Sequence, residues 1–275
     1  MNDPRSLAPR GRRPRAVALR QTVSARSSLF ILAALVLLAL LLLGWGRAVA
    51  APDPNGVVPQ IERVQANMIK NMKLADFKLS GDVRIKPRGG KLTKHPVVLR
   101  TKGYVMQFEF QDQPLQIKLD LDPDNERTQV FTRSGSSGSW KQVTGSALTK
   151  PILDSDITYE DLAMDFMKWE KVKPLGTDSI KTFDTWAYRA EPDGPSAYAS
   201  ADYWVSSQYY AFMQVIGRGK DGKPIKRVEV SDLQEVDGMW VIKEMMATTY
   251  RPGSNLAASQ TWLYLDEAKK GASGL

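Results

Sequence analysis

Glycine and lysine residues in the last quarter of the chain have the spacing of a phosphate-binding loop. Residues 217–223 read GRGKDGK, with four residues between the first glycine and the Gly-Lys pair. A working loop of this type continues with Ser or Thr, which binds the metal, and then with a helix. Here Pro224 follows, and an alternating apolar pattern continues after it. The segment is therefore predicted to be a hairpin turn between two strands.

Two other motifs match chemical sites only in part. Residues 120–125 (DLDPDN) begin like a calcium-binding loop, but the sixth and twelfth positions hold Asn125 and Phe131 where Gly and Glu are needed. Residues 135–138 (GSSG) lack the G-x-S-x-G pattern that places a nucleophilic serine after a buried strand. The first motif is predicted to be a solvated turn, and the second lies in a flexible loop, residues 133–139.

Five carboxylates form a cluster near the middle of the chain. They are Asp154, Asp156, Glu160, Asp161 and Asp165. Thr158 followed three residues later by an acid is typical of a helix start, where side-chain oxygens satisfy free backbone N–H groups and acids interact well with the helix dipole. A capped helix start explains most of the cluster, and an acid–base or metal site is the alternative.

Missing residue types exclude several kinds of chemistry. The chain has no Cys, so a disulfide, a thiolate nucleophile, an iron–sulfur cluster and a lipid-modified cysteine are all excluded. Its single histidine, His95, rules out a metal site built on two histidines. We therefore expect a protein that is not an enzyme and that needs no cofactor or metal.

The formal net charge of +8 comes almost entirely from the first fifty residues. Residues 1–50 hold eight arginines and one acid, Asp3. The remaining 225 residues hold 30 basic and 29 acidic side chains and are nearly neutral. Nucleic acid, the partner that a strongly basic protein suggests, is therefore not expected.

The order of residues at the start of the chain is typical of a secretory signal peptide. An arginine-rich stretch precedes fifteen unbroken apolar residues at 29–43, and Ala48-Val49-Ala50 then gives a small-x-small end. Cleavage is predicted after Ala50, which leaves residues 51–275 as one periplasmic domain. The alternative is an uncleaved inner-membrane anchor over residues 29–46, since that length is close to the span of a bilayer.

Hydrophobic periodicity predicts a mostly β domain with two helices. Residues 57–72 show the period of a helix, and a second helix is expected over 159–169. Between and after them, apolar residues alternate with polar ones in eleven short segments, and turn signals such as Asp221-Gly222 and Asp237-Gly238 separate several of these. Strands this close in sequence pair antiparallel. Residues 269–275 are expected to form a frayed tail.

The apolar side chains of these elements are unusually large and rich in methionine. A curved antiparallel sheet with few helices leaves its concave side to be filled, so that side is predicted to form a cavity for an acyl chain. The alternative is a well-filled core. The candidate lining residues are Met68, Met72, Tyr104, Met106, Phe108, Phe110, Trp186, Tyr188 and Tyr203. Ile117 shares the alternating pattern and is not assigned to the cavity.

Several segments of the second half resemble bacterial outer-membrane lipoprotein-sorting proteins of the LolA-like family. Residues 152–162 (ILDSDITYEDL) resemble the family's GSDFSYEDL-type signature, and residues 221–232 (DGKPIKRVEVSD) its lysine-rich hairpin. Residues 202–206 (DYWVS) and 236–241 (VDGMWV) resemble two of its strand motifs. The resemblance is good over residues 150–266. Asp154 and Ile242 depart from it, standing where Gly and Pro are usual.

This resemblance implies an incomplete antiparallel β-barrel of about 10–11 strands with two or three lid helices. It also implies a monomeric periplasmic carrier that binds acyl chains of lipoproteins or lipids and moves them towards the outer membrane. Its partners would be an inner-membrane release complex and an outer-membrane acceptor. An arginine holds the lid in the classical carriers, and Arg84 and Arg100 are the candidates here. The alternative function is a membrane-tethered envelope sensor or scaffold with the same fold.

Overall fold

The computed structural model describes residues 56–236 and 239–275. The predicted leader with its cleavage site, the possible anchor at 29–46 and the predicted Asp237-Gly238 turn lie outside these residues. No helix within the described residues is long and apolar enough to cross a membrane.

The described chain forms one curved antiparallel sheet of thirteen strands. The strands follow the order β6-β5-β4-β3-β2-β1-β13-β12-β11-β10-β9-β8-β7, so β6 and β7 are the edges of an open sheet. Their bounds are β1 Leu74–Lys86, β2 Thr93–Gly103, β3 Val105–Phe110, β4 Leu115–Asp120, β5 Gln129–Ser134, β6 Lys141–Val143, β7 Lys171–Ile180, β8 Phe183–Glu191, β9 Ser200–Ser206, β10 Phe212–Arg218, β11 Pro224–Val236, β12 Met239–Tyr250 and β13 Ala257–Lys270. The predicted fold class is confirmed. The hairpin predicted at residues 217–223 is confirmed too, because it joins β10 to β11.

The two strands that the periodicity did not predict are β2 and β7. β2 begins with polar residues and contains Pro96, yet it pairs with both β1 and β3. β7 contains Pro174, and its pairing with β8 shifts register between Pro174 and Gly176. β7 is an edge strand, where proline and irregular pairing are common because one row of hydrogen-bonding groups needs no partner. That explanation does not extend to β2, which lies inside the sheet.

Both predicted helices are present, and each is shorter than expected. Helix α1 spans Ile61–Asn71 and buries Val64 and Met68. Helix α2 covers only Tyr159–Ala163, because Met164 takes a left-handed conformation with φ 51° and ends it. A 3-10 turn, Asp165–Met167, follows. Phe166 and Trp169, which fall within the predicted span, are buried and lie beyond the end of this helix.

The prediction of a frayed tail is wrong. β13 continues to Lys270, and the residues after it fold back against β1 and β2. The backbone N–H of Ser273 donates to Asp76 at 3.0 Å, and its carbonyl accepts from Arg100 at 3.0 Å. Ser273 is fully buried. The small and polar residues of this tail suggested disorder. Side chains on β1 and β2, however, form hydrogen bonds with its backbone N–H and carbonyl groups.

Buried apolar side chains on the sheet divide into two clusters. The first cluster lies on β1–β5 and β13 and includes Phe108, Ile117 and Leu263. The second cluster lies on β8–β12 and is packed against α1, and it includes Tyr188 and Tyr203. Residues 148–169, which we call the covering segment, connect β6 to β7 and contribute side chains to both clusters.

Candidate functional site

The covering segment closes over both clusters because its helix starts and stops within a few residues. Thr158 accepts a hydrogen bond from the backbone N–H of Asp161 at 3.2 Å, and Asp161 accepts one from the backbone N–H of Thr158 at 2.8 Å. This reciprocal cap fixes the start of α2. The left-handed Met164 then separates Leu162, which packs on the first cluster, from Phe166 in the second.

One carboxylate fixes the centre of the covering segment to the sheet. Asp156 is buried and accepts hydrogen bonds from Ser259 at 2.5 Å and from Thr261 at 2.9 Å, both on β13. Its backbone N–H also donates to the Thr261 hydroxyl at 2.9 Å. A buried carboxylate needs such partners, because burying a polar group without them is costly.

The β10–β11 side of the covering segment is held by a buried polar cluster. The Lys226 ammonium on β11 lies 2.6 Å from the Asp161 carboxylate, and their side chains are 12% and 4% exposed. The Tyr198 hydroxyl donates to the same carboxylate, and Glu160 accepts from Ser196 and from the backbone N–H of Ala197. Burial raises the pKa of Glu160 and keeps the pKa of Tyr198 well above its usual value.

The opposite side of the covering segment contacts the loop between β4 and β5. Asp165 accepts from the backbone N–H of Thr128 at 3.0 Å, and the Lys168 ammonium donates to the Asn125 carbonyl at 3.0 Å. Burial raises the pKa of Asp165 and lowers the pKa of Lys168. Four of the five clustered carboxylates thus hold this segment in place. Within the described residues no group of side chains is arranged to bind a metal.

Two small cavities lie where the covering segment meets the sheet. The first has about 310 Å³ with its opening to solvent, and polar residues such as Asp161 and Lys226 line it together with Phe166 and Trp169. The second has about 340 Å³ on the same measure. Its lining is apolar except for Ser155: Val83, Phe108, Phe110, Ile117, Ile152, Ile157, Leu162 and Leu263. Only a small part of each volume is enclosed, with room for at most a few water molecules, so neither is a preformed ligand cavity in this closed form.

The predicted cavity residues are divided between the two clusters. Met68, Met72, Tyr188 and Tyr203 are buried in the second cluster, and Trp186 packs against it. Phe108 and Phe110 are buried in the first cluster, and Tyr104 and Met106 pack against it. Ile117, which was not assigned, is fully buried and lines the second cavity. Whether these residues contact a ligand stays a prediction.

The two arginines proposed to hold a lid contact other groups. Arg84 pairs with Asp82 on its own strand and lies over the Tyr264 ring, 3.9 Å from the centroid. Arg100 contacts Glu109 at 3.3 Å, besides the tail carbonyl described above. Lys226 forms an ion pair with the covering segment, and sequence reasoning missed it. Lys226 lies two residues before Val228 and four before Val230, and both valines are buried. This spacing puts Lys226 on the same, inward-facing side of β11, and it is the signal that could have identified the residue.

Comparison with known proteins supports the fold. A family model described as "Uncharacterized protein" matches residues 119–269, slightly more than half of the chain. No curated protein matches the sequence.

Three solved structures are similar over most of their length. A DUF1329 family protein from Desulfovibrio piger is 15% identical with a TM-score of 0.61, covering 79% of this chain and 95% of that one. A domain assigned to the outer membrane lipoprotein-sorting proteins of Vibrio parahaemolyticus is 16% identical with a TM-score of 0.64, covering 78% and 95%. A LolA superfamily protein from Nitrosomonas europaea is 13% identical with a TM-score of 0.51, covering 78% and 94%. At these identities the likeness establishes a LolA-like fold.

Proposed function

We propose that this protein is an exported carrier of acyl chains. The chain belongs to the family, described as "Uncharacterized protein", whose model matches residues 119–269. The ligand would be the acyl chains of lipoproteins or lipids, bound in a hydrophobic cavity, and the destination would be the outer membrane. Its role would be binding and release rather than catalysis. The observation that carries this proposal is an apolar sheet face covered by two pieces of chain that are not strands of the sheet, α1 and the covering segment.

The apolar lining of the second cavity supplies the affinity that a carrier needs. Burying a methylene group contributes about 0.8 kcal/mol, so even part of an acyl chain gains several kcal/mol there. Ser155 is the one polar residue of that lining. The closed cavity would enlarge as Ile152, Ile157 and Leu162 move away with the covering segment.

The way the covering segment is attached favours such a movement. Besides its apolar packing, side-chain contacts hold it through Asp156 at β13, through Asp161 at Lys226 on β11, and through Asp165 at Thr128 in the loop before β5. Opening would break these contacts and expose the buried apolar side chains of the segment, but it would leave the pairing of the strands intact. Release of a ligand would follow from the same opening movement, with a partner protein or a membrane favouring the open form.

Export agrees with the sequence at the start of the chain. An arginine-rich stretch before an apolar run, ended by Ala48-Val49-Ala50, predicts transfer across the inner membrane and cleavage. The absence of Cys from the whole sequence excludes the lipid-modified cysteine that would attach a lipoprotein to a membrane. We therefore propose a periplasmic protein that moves between the two membranes.

Native mass spectrometry of the full chain, expressed with its leader and purified without detergent, tests the proposal. We expect a mass increment from bound lipid, or uptake of a diacylated lipopeptide added at micromolar concentration. Leu162→Gln, in the lining of the second cavity, should abolish it. Leu175→Gln is the matched control, because Leu175 is 40% exposed on β7. Circular dichroism confirms that both variants fold. Absence of lipid and lipopeptide from the wild-type protein would reject the carrier function.

A further inference from the structure

Tyr203 on β9 carries a buried hydroxyl without a partner. The residue has no exposed surface, and its ring stacks on Tyr188 with centroids 5.7 Å apart and contacts Phe166 at 5.5 Å. Within the part of the chain that the structure describes, the Tyr203 hydroxyl forms no hydrogen bond. Buried polar groups almost always have a partner, so this exception needs a physical reason.

The neighbouring tyrosine, Tyr188, has a hydroxyl with a hydrogen-bond partner in the same environment. Tyr188 is the direct cross-strand partner of Tyr203. Its hydroxyl donates to the carbonyl of Pro59 at 3.0 Å, just before α1. The pair therefore has one hydroxyl that fixes the approach to α1 and one that has no acceptor. Phenylalanine would fill the Tyr203 position with the same ring and without the cost of a buried hydroxyl.

Tyr203 lies beside the first cavity. Val215, its cross-strand partner on β10, lines that cavity, and so does Phe166, which touches the Tyr203 ring. Because burial raises the pKa of Tyr203, its hydroxyl keeps its proton and can act only as a neutral donor or acceptor. Ile157 and Met245 pack against both clusters, so the covered apolar face is continuous from the second cavity to this group. An acyl chain held in the second cavity would reach the Tyr203 hydroxyl along that face once Phe166 moves away with the covering segment.

We propose that the Tyr203 hydroxyl donates a hydrogen bond to the carbonyl oxygen of the bound acyl group. The inference rests on the proposed carrier function and narrows its ligand class: the site selects ester- or amide-linked acyl chains over plain alkyl chains. A hydrocarbon tail alone would leave the hydroxyl unsatisfied, whereas a carbonyl at the head of the chain supplies the missing acceptor. Selection by one buried polar group is effective because the wrong ligand leaves that group unpaired.

The test compares two lysophospholipids that differ only in this carbonyl. A palmitoyl-ester lysophosphatidylcholine and its hexadecyl-ether analogue are titrated into the full-length protein by isothermal calorimetry. We expect the wild type to prefer the ester by about five- to tenfold, the size of one net hydrogen bond. Tyr203→Phe should remove that preference while it still binds the ether like the wild type. Equal binding of both lipids by the wild type would overturn the inference and leave the carrier function standing, whereas binding of neither would reject the carrier function itself.

Thermal unfolding without lipid is an independent test that can be read even where lipid binding is too weak to titrate. Tyr203→Phe should leave the midpoint unchanged or raise it, because it removes an unsatisfied group. Tyr188→Phe is the matched control and should lower the midpoint, because it loses the bond to Pro59. A clear drop in the Tyr203→Phe midpoint would mean that the hydroxyl already has a structural partner, and would overturn the inference.

Discussion

Lys226 on β11 and Asp161 in the covering segment form an ion pair of 2.6 Å across 65 residues of sequence. Both side chains are nearly buried, and Tyr198 adds a hydrogen bond to the same carboxylate. The pair therefore joins a piece of chain that has no strand pairing with the sheet to one of the sheet's central strands. Its strength should govern how readily the covering segment opens.

Removing the cation of this pair should destabilise the closed form strongly. Lys226→Met keeps most of the apolar stem and leaves the Asp161 carboxylate buried without its counter-ion. Loss of one partner of a buried pair costs about 3–5 kcal/mol. We expect urea unfolding, followed by tryptophan fluorescence, to show a decrease of that order in the free energy of unfolding.

The exposed pair of Lys243 and Asp232 is the matched control for this change. Its atoms are 2.9 Å apart, but its side chains are 54% and 49% exposed. Solvent screens such pairs, so Lys243→Met should lower the free energy of unfolding far less than Lys226→Met does. Similar losses in Lys226→Met and Lys243→Met would contradict a structural role for the buried pair.

The sequence predicts the sheet well because the sheet is built from local signals. Alternating residues such as Ile117, Leu119 and Leu121 identify a strand with one buried face, and Asp221-Gly222 identifies a hairpin. β2 and β7 escape this reasoning because Pro96 and Pro174 interrupt the alternation. Both nevertheless pair in the sheet, β2 with β1 and β3, and β7 with β8.

The site is harder to predict because its contacts join distant parts of the chain. Thr158 and Asp161 indicate the start of α2 from local sequence alone. The left-handed turn at Met164 has no such signal, since glycine is the usual residue there. The contact of Asp161 with Lys226 depends on the path of the covering segment, which packing against two clusters determines.

The buried Glu160 should give the protein a characteristic dependence on pH. Burial raises its pKa above the ordinary 4.5, despite hydrogen bonds from Ser196 and Ala197 that act the other way. The folded state then holds this proton more tightly than the unfolded state does. The contribution of Glu160 to stability is therefore fully present below pH 4.5 and is lost as pH rises through the folded pKa.

Glu160→Gln should flatten this part of the stability profile, because it removes the titrating group. Ser196→Ala should make it steeper, because it removes a donor that favours the charged carboxylate. Urea unfolding from about pH 4 to about pH 7 measures both slopes. Identical slopes in the wild type and both variants would show that Glu160 titrates alike in the folded and unfolded states.

Gly217 should be required for the position of Tyr198. A Cβ atom at Gly217 would lie 2.2 Å from Cε1 of the Tyr198 ring, closer than any real contact. Gly217→Ala should therefore displace Tyr198 from Asp161 and cost about 1–3 kcal/mol, the usual range for overpacking. Thermal unfolding measures the loss.

Gly219→Ala, two residues along the same hairpin, is the control. The nearest atom to its Cβ would be the Asp221 carboxylate at 3.1 Å, the end of an exposed side chain that can move. Its effect should be close to zero. Equal effects of the two substitutions would mean that the hairpin, and not the contact with Tyr198, sets the cost.

The central claim is that the covered apolar face binds acyl chains. The most direct measurement is calorimetric titration of the full-length protein with a synthetic diacylated lipopeptide and with the same peptide lacking its acyl chains. We predict saturable binding of the acylated peptide, with a negative heat-capacity change from apolar burial, and no binding of the bare peptide. Equal affinity for both peptides, or binding of neither, would contradict the account.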